Sequence, residues 1–290
     1  MLKDCVHLKA PGNWINDPNG FIYYQGEYHL FYQHFPYAPR WGTMHWRHAV
    51  SRDLVHWEHL GVALFPTKDY DRNGIFSGSA LEIDGRMHLY YSAVKYEQPS
   101  AEDIHLAEGD RYETSQAMLI SRDGRHFDNW EDKRQIIPVL TDPALGDRKD
   151  TRDPKVWREG DHYYMVLGST PGGTGRVLFF RSDDGLSWTY ANQYASRELG
   201  RVLECPDLAR LDDGYLFLGS PMGITDDGLS YADQAMYARA DFDPETCRMT
   251  LRDPLAFLDH GLDLYAPQSA LDREGRRVVV AWMRMPQPVP

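Results

Sequence analysis

Five segments of the 290-residue sequence share one form, a Gly or Asp-Gly turn followed by a run of apolar and aromatic residues. They are Gly26–Gln33 (GEYHLFYQ), Gly85–Ser92 (GRMHLYYS), Gly160–Gly168 (GDHYYMVLG), Gly214–Ser220 (GYLFLGS) and Gly275–Trp282 (GRRVVVAW), and their glycines are spaced 59, 75, 54 and 61 residues apart. Each run is short, β-branched or aromatic, and bounded by turn signals, the pattern of a strand. A second short strand is expected before each, at Phe21–Tyr24, Ser79–Ile83, Lys155–Trp157, Leu208–Leu211 and Ser269–Leu271. Hairpins repeated at this long period specify a propeller, whose units bury their faces only by stacking on neighbours. A second marker recurs three times, a Ser-Arg/Asp-Asp turn leading to a Trp: Ser51-Arg52-Asp53 to Trp57, Ser121-Arg122-Asp123 to Trp130, and Ser182-Asp183-Asp184 to Trp188. It is expected on the outer strands of the first three blades. One short helix is expected near Gln193–Leu199. A β-sandwich or irregular all-β domain is the alternative, but sandwiches carry turn signals about every 8–12 residues without the longer period. The expected fold is an all-β, five-bladed β-propeller forming one domain over residues 1–290.

Charge narrows the partners. Acidic residues number 43 against 31 basic ones, for a net charge of −12, and no cluster of five Lys and Arg occurs. Nucleic acid and anionic membranes are therefore poor partners. No long apolar run and no apolar segment after Met1 suggests a membrane span or a secretion signal. Cys5, Cys205 and Cys247 are odd in number and lack CxxC spacing, so neither a disulfide framework nor a zinc site is expected, and a reducing, cytoplasmic setting fits best. The 13% aromatic content, with eight Trp and eighteen Tyr, exceeds what short strands need and suits a sugar-sized cleft.

In a propeller the first strand of each blade lines the central channel, so side chains entering those strands converge on one funnel. Counting back from each hairpin glycine reaches Asp17 (Asn16-Asp17-Pro18), Phe76-Ser77-Gly78, Asp153 (Arg152-Asp153-Pro154), Glu204 (Glu204-Cys205-Pro206) and Tyr265 (Tyr265-Ala266-Pro267). Three of these five positions are carboxylates. Asp-Pro is also a common turn dipeptide, but Asp142-Pro143, Asp243-Pro244 and Asp253-Pro254 fall elsewhere in the repeat. Packing alone does not favour three acids around one axis, because like charges at short range raise each other's pKa. Paired carboxyl groups, one ionised and one protonated, are the equipment of glycoside hydrolysis. Trp14, Trp41, Phe76 and Tyr265 offer flat apolar faces for a sugar ring.

These residues carry a resemblance. Trp14-Ile15-Asn16-Asp17-Pro18-Asn19-Gly20 with Tyr28–Gln33, then Phe76-Ser77-Gly78, Arg152-Asp153-Pro154 and Glu204-Cys205-Pro206, resemble glycoside hydrolase family 32, the invertases, fructan hydrolases and sucrose-6-phosphate hydrolases. The likeness runs in order from about residue 7 to residue 285. It implies a five-bladed propeller followed by a C-terminal β-sandwich. It implies that Asp17 is the nucleophile, Glu204 the general acid/base, and Asp153 a transition-state stabiliser that binds fructose hydroxyls. Asn16, Gln33, Trp41, Phe76, Ser77 and Arg152 stand where the family contacts the fructosyl unit, and Cys205 would influence the acidity of Glu204. The implied reaction is retaining release of terminal β-fructofuranosyl units from sucrose, sucrose 6-phosphate or fructo-oligosaccharides, without a cofactor.

The chain departs from the family twice. The family usually has glycine where Arg47 stands, so Arg47 is expected either to be outward and solvated or to present a cation near the funnel rim. The sequence also stops at Pro290, after the second strand of the fifth repeat, so the outer half of that blade and the β-sandwich are expected to be missing. Such a blade leaves unpaired edges, and the chain alone is expected to be poorly stable, to associate with itself, or to take up a separate segment. Rival readings are a propeller glycosidase for arabinofuranosides or xylosides, and a non-catalytic sugar-binding propeller. Metal chemistry is not expected: His45 and His48, and His56 and His59, have odd spacings that send side chains to opposite faces of a strand. The stretches Lys95–Ser115 and Gly223–Gln234 are expected to be long loops shaping the funnel mouth.

Overall fold

The structure, a computed structural model, describes residues 7–224, 233–261 and 263–284. Cys5, Pro290 and the centre of the Gly223–Gln234 loop lie outside the described residues. The fold is all-β, and its strands form propeller blades. Strands β1 (Trp14–Tyr24), β2 (Glu27–Phe35), β3 (His45–Ser51) and β4 (Trp57–Leu64) make the first antiparallel sheet. The second comprises β5 (Gly74–Ile83), β6 (Arg86–Tyr96), β7 (Tyr112–Ser121) and β8 (Lys133–Ile137). The third comprises β9 (Arg152–Glu159), β10 (His162–Ser169), β11 (Arg176–Ser182) and β12 (Thr189–Ala195). The fourth contains β13 (Val202–Leu211), β14 (Gly214–Met222), β15 (Met236–Asp243) and β16 (Arg248–Leu251), with the short β17 (Ala256–Phe257) on β15. Last comes a two-stranded sheet of β18 (Leu264–Leu271) and β19 (Arg277–Met283).

Local sequence explains the hairpins. Between β1 and β2, Gln25 and Gly26 both have positive φ (48° and 90°), as do Asp84 and Gly85 between β5 and β6 (51° and 72°); two such residues in a two-residue loop match the right-handed twist of the strands they join. The second strands of the four larger sheets are buried almost throughout, as the β2 run Tyr28–Phe35 is, because each is covered on both faces by neighbouring blades. The outer strand β12 alternates instead and is open on one face along its length. The cores lie between blades: Phe31, Trp46, Leu89 and Tyr91 between the first two sheets, Tyr90, Met118, Met165 and Leu178 between the next pair, and Tyr164, Phe179, Phe217 and Phe242 between the third and fourth. The β18–β19 sheet closes on the first blade through Ala270, Val278 and Val280 against Phe21, Tyr28 and Leu30. Among the described residues β19 is an edge strand, with Val279 and Met283 exposed.

First strands follow one another around the axis in the order β1, β5, β9, β13, β18 and back to β1. Their inner edges cannot form a continuous ladder, so buried backbone N–H groups need side-chain partners. Neighbouring blades supply them. Asn19 Oδ1 accepts from Gly78 N, Ser79 Oγ from Val156 N, Asp207 Oδ2 from Ser269 N, and Gln268 Oε1 from Phe21 N, at 2.7–3.1 Å. Lys155, fully inside the ring, reaches Asp207 Oδ2 at 3.0 Å and the carbonyl of Ser269. Each such bond is worth about 1 kcal/mol, and together they fix the spacing of the blades at the axis.

Several expectations need correcting. The first strands begin earlier than expected, so the Asn16-Asp17, Arg152-Asp153 and Glu204-Cys205 motifs lie inside strands rather than ahead of them. The Gln193–Leu199 helix is absent: Thr189–Ala195 pairs with β11 as a strand, and only Arg197–Leu199 makes a 3-10 turn. The Ser-x-Asp marker is a turn between third and fourth strands. Ser51, Ser121 and Ser182 hydroxyls accept backbone N–H bonds there, and Asp53, Asp123 and Asp184 each take two more. Trp57 opens β4, but Trp130 is exposed and outside any strand. The Lys95–Ser115 loop is shorter, since β6 runs to Tyr96 and β7 starts at Tyr112. Arg47 is half-buried on β3 opposite Tyr32 and is not among the residues lining the funnel pocket.

Candidate active site

All five first strands carry a bulge at the same height. On β1 the register slips between Ile15 and Pro18, on β5 between Ile75 and Gly78, on β9 between Arg152 and Lys155, on β13 between Glu204 and Asp207, and on β18 between Tyr265 and Gln268. A bulge breaks the strict alternation of a strand, so successive residues can aim at one side. Aligned on it, the three acids do not share one position, contrary to the count from the glycines. Glu204 is equivalent to Arg152 and Tyr265, Asp153 to Asn16, Phe76 and Cys205, and Asp17 to Ser77. Each acid comes from a different step of the bulge. Asp153, Cys205 and Ala266 hold φ of 65°, 49° and 50° immediately before a proline, a left-handed conformation costing ~1–3 kcal/mol that clusters at functional sites.

The bulge residues surround a cavity of about 220 Å³ lined by Trp14, Asn16, Asp17, Gln33, Trp41, Phe76, Ser77, Tyr112, Arg152, Asp153, Glu204, Tyr265 and Trp282. Ten of the eleven expected site residues are in this lining. The eleventh, Cys205, lies just beneath, its N–H donating to Asp153 Oδ2 at 2.8 Å and its Sγ 3.7 Å from Asp17 Oδ2. The volume is below the ~300–1,000 Å³ of drug-sized sites, a scale suited to one sugar ring. Tyr112 and Trp282 were not anticipated. Trp282 was within reach of sequence reasoning, because it ends the fifth repeat and pairs in register with Tyr265. Tyr112 sits where the acidic loop enters β7 and gives no sequence signal.

Each acid has its own surroundings. Asp17 is held by short donors: Ser77 Oγ at 2.6 Å and Asn16 Nδ2 at 3.1 Å, with Gln33 Nε2 at 3.4 Å also donating to Ser77. Trp14 Nε1 in turn orients Asn16 at 2.7 Å. Burial pushes the Asp17 carboxyl up, and these hydrogen bonds pull it partly back. Glu204 accepts from Arg152 Nη2 at 2.7 Å on one oxygen and from the Tyr265 hydroxyl on the other. Arg152 is also paired with Asp150. Asp153 is raised to about 7, first by burial and then by the charges of Glu204 and Asp17, against the opposing pull of Arg152. Burial and the three surrounding carboxylates hold the Cys205 thiol protonated, well above its ordinary range. One pocket thus holds a well-positioned carboxylate, a second one clamped at both oxygens, and a third that is readily protonated near neutrality. Such acids titrate as a coupled cluster.

Aromatic faces wall the cavity. Trp14 and Trp282 meet edge to face at 6.2 Å, Trp282 meets Tyr265 at 6.4 Å, and Trp41 meets Phe76 at 5.8 Å. Among the described residues no group of three His, Cys, Asp or Glu is placed to hold a metal ion. His48 stacks on Phe31 and bonds His29 at 3.0 Å, and His56 caps the Asp53 turn. No helix of the described residues is long and apolar enough to cross a membrane.

Residues 7–289 match the N-terminal domain of glycosyl hydrolases family 32. The chain belongs to glycosyl hydrolase family 32. It is 37% identical to the sucrose-6-phosphate hydrolase of Escherichia coli over 289 residues, covering 96% of this chain and 56% of that protein. The structure of the Bombyx mori GH32 beta-fructofuranosidase superposes with a TM-score of 0.82 at 36% identity, over 98% of this chain and 58% of the other. A point variant of that enzyme, solved in complex with sucrose, gives a TM-score of 0.81 at 34% identity, over 99% of this chain and 58% of the other. The family 32 chain therefore spans a little over half the length of the relatives it matches.

Proposed function

We propose that this family 32 chain is the catalytic propeller of a retaining β-fructofuranosidase acting on sucrose, sucrose 6-phosphate or fructo-oligosaccharides. The observation that carries the reading is the convergence of Asp17, Asp153 and Glu204, from three different blades, on one sugar-sized pocket. Asp17, oriented by Asn16 and Ser77, attacks the anomeric carbon of the terminal fructosyl unit while Glu204 protonates the departing oxygen. Water activated by Glu204 then hydrolyses the fructosyl-Asp17 ester. Asp153 and Arg152 bind ring hydroxyls and favour the oxocarbenium-like transition state. Asn16, Gln33, Trp41, Phe76, Ser77 and Tyr265 shape the fructosyl site, and Cys205 supports Asp153 and Asp17 from below.

On the same reading the β18–β19 sheet is the inner half of a fifth blade, residues 1–290 form one catalytic unit, and the open edge of β19 is where a further β-segment or a second copy pairs. Cys205 and Cys247, both free and buried, fit the cytoplasmic setting inferred from cysteine usage. The test combines substrate and intermediate. Fructose, not a pentose, should be released from a panel of sucrose, sucrose 6-phosphate, inulin-type oligosaccharides, arabinofuranosides and xylosides. Mass spectrometry should trap a fructosyl adduct on Asp17 that Asp17→Asn abolishes, and Glu204→Ala should bind sugar without turnover. Pentose release, or unchanged turnover in Glu204→Ala, overturns the assignment.

A further inference from the structure

We propose that Asp150 is a positioning residue for the acid/base: it fixes the Arg152 guanidinium against Glu204 and offsets part of its charge, so that Glu204 keeps the proton it must deliver. The proposal rests on the fructosidase reading, in which Glu204 protonates the leaving oxygen. Arg152 stands between the two carboxylates. Its Nη2 donates to Glu204 Oε1 at 2.7 Å, while Nη1, the other arm of the same fork, donates to Asp150 Oδ1. Asp150 is not among the residues lining the cavity, so it meets the reaction only through Arg152.

The chain ahead of β9 holds this carboxylate in place. Asp147 Oδ1 accepts from the backbone N–H groups of Lys149 and Asp150 at 2.8 and 2.7 Å, an Asx turn that sets the direction in which Asp150 leaves the backbone. Asp147 N in turn donates to Thr151 Oγ1 at 2.9 Å. From the second blade, the Thr114 hydroxyl lies 3.0 and 2.8 Å from the carbonyl oxygens of Lys149 and Thr151, and Gln116 Nε2 donates to the Thr151 carbonyl at 2.9 Å. Lys149 does not compete for Asp150, because its ammonium pairs with Asp110 and sits 5.0 Å from the Tyr112 ring centroid.

Electrostatics give the contact its purpose. A cation bonded directly to a carboxyl favours the ionised form, and the Tyr265 hydroxyl on the other oxygen acts in the same direction. Both work against a group that must begin the reaction protonated. The groups facing Glu204 are Arg152 and Tyr265 by hydrogen bond, and Asp17, Asp153, Cys205 and Tyr112 through space. Arg152 carries the positive charge of that set, and its side chain is only 8% exposed, so water and salt screen it little. Asp150, on the outer arm, divides that charge between two carboxylates. Glu204 is thereby left able to pass between acid and base in the two steps.

The experiment measures kcat/KM for sucrose against pH in the wild-type chain, Asp150→Asn, Asp150→Ala, Asp150→Glu and, as a control, Asp110→Asn, with thermal unfolding to check each variant. The alkaline limb reports loss of the proton from the acid. Asparagine keeps an acceptor for Arg152 and removes only the charge, so in Asp150→Asn this limb should move to lower pH by about 0.5–1 pH unit, with kcat on the plateau little changed. Asp150→Ala also frees the guanidinium and should lose a further tenfold or so in plateau kcat, mainly without change in KM. Asp150→Glu should restore the limb, and Asp110→Asn should leave it in place. An unmoved limb in Asp150→Asn, or an equal shift in Asp110→Asn, overturns the proposal. If Asp150→Ala does not fold, the Asn and Glu variants carry the comparison. A second readout needs no turnover: carbon NMR of glutamate carboxyls, with the Glu204 signal assigned by its loss in Glu204→Gln. That signal should titrate at lower pH in Asp150→Asn than in wild type, and coincident titrations sink the proposal. If the wild type releases no fructose, the fructosidase reading fails, and the NMR titration alone decides the role of Asp150.

Discussion

Ser77 on the second blade donates its hydroxyl to Asp17 on the first, at 2.6 Å, and this bond is the largest single influence drawing the Asp17 carboxyl back toward its ionised form. An attacking carboxylate must be ionised, while burial works against ionisation at this position. The two blades therefore have to be in register for the nucleophile to be ready.

Ser77→Ala should accordingly raise the Asp17 pKa further. The fraction of ionised Asp17 then falls at low pH, and the acid limb of the kcat/KM profile should move to higher pH. The loss should be about tenfold on that limb and smaller near neutrality. Parallel profiles of wild type and variant check this, and a uniform loss at every pH would assign Ser77 to sugar contact instead.

Asp153 carries the opposite lesson. Its carboxyl is raised to about 7, above its ordinary value of 3.8. A group that binds protons more tightly when folded contributes stability that is complete below the unfolded pKa and is lost as pH rises through the folded one. From about pH 4 to pH 7 the wild-type chain should therefore lose stability on the order of 3 kcal/mol from this residue. Asp153→Asn has nothing to titrate, so its stability should be flatter over that window and relatively greater at pH 7, although turnover is lost. Chemical denaturation at a series of pH values compares the two slopes.

Much of this site can be read in the sequence because its chemistry is concentrated in short segments of inner strand. Asn16-Asp17, Phe76-Ser77, Arg152-Asp153, Glu204-Cys205 and Tyr265 each precede a run whose turn glycine marks the blade. The single-residue offsets among the acids cannot be read this way, because a bulge places two residues opposite one and a count from a distant turn does not see it. Tyr112 arrives from a connecting loop whose path depends on packing against Phe76 and Tyr96. The helix expected near Gln193–Leu199 fails for a related reason: the polar outward face of Thr189–Ala195 gives no apolar period, and its strand structure comes from pairing with β11.

Lys155 and Asp207 lie below the acids, both buried, at 3.0 Å. Removing only the cation leaves a buried carboxylate without compensation, which costs about 3–5 kcal/mol. Lys155→Met should therefore lower the urea midpoint strongly, whereas Lys155→Met with Asp207→Asn should recover part of the loss, since the amide oxygen still accepts from Ser269 N. A double variant no better than the single one would show that Lys155 acts through its tie to the Ser269 carbonyl rather than through the ion pair.

Tyr265 closes the circuit around Glu204. With Arg152 on one oxygen and the Tyr265 hydroxyl on the other, the carboxyl is fixed in direction as well as position. Phenylalanine fits the same buried space and removes only the donor, so Tyr265→Phe should fold with stability within ~1 kcal/mol of wild type. The freed carboxyl no longer delivers its proton along one line. Turnover of sucrose should fall about tenfold in kcat with KM little changed. The deciding comparison uses an activated fructoside whose leaving group departs without protonation. There the variant should lose little in the step that forms the fructosyl-enzyme, measured as a burst. An equal burst loss on both substrates would instead place Tyr265 against the fructosyl ring.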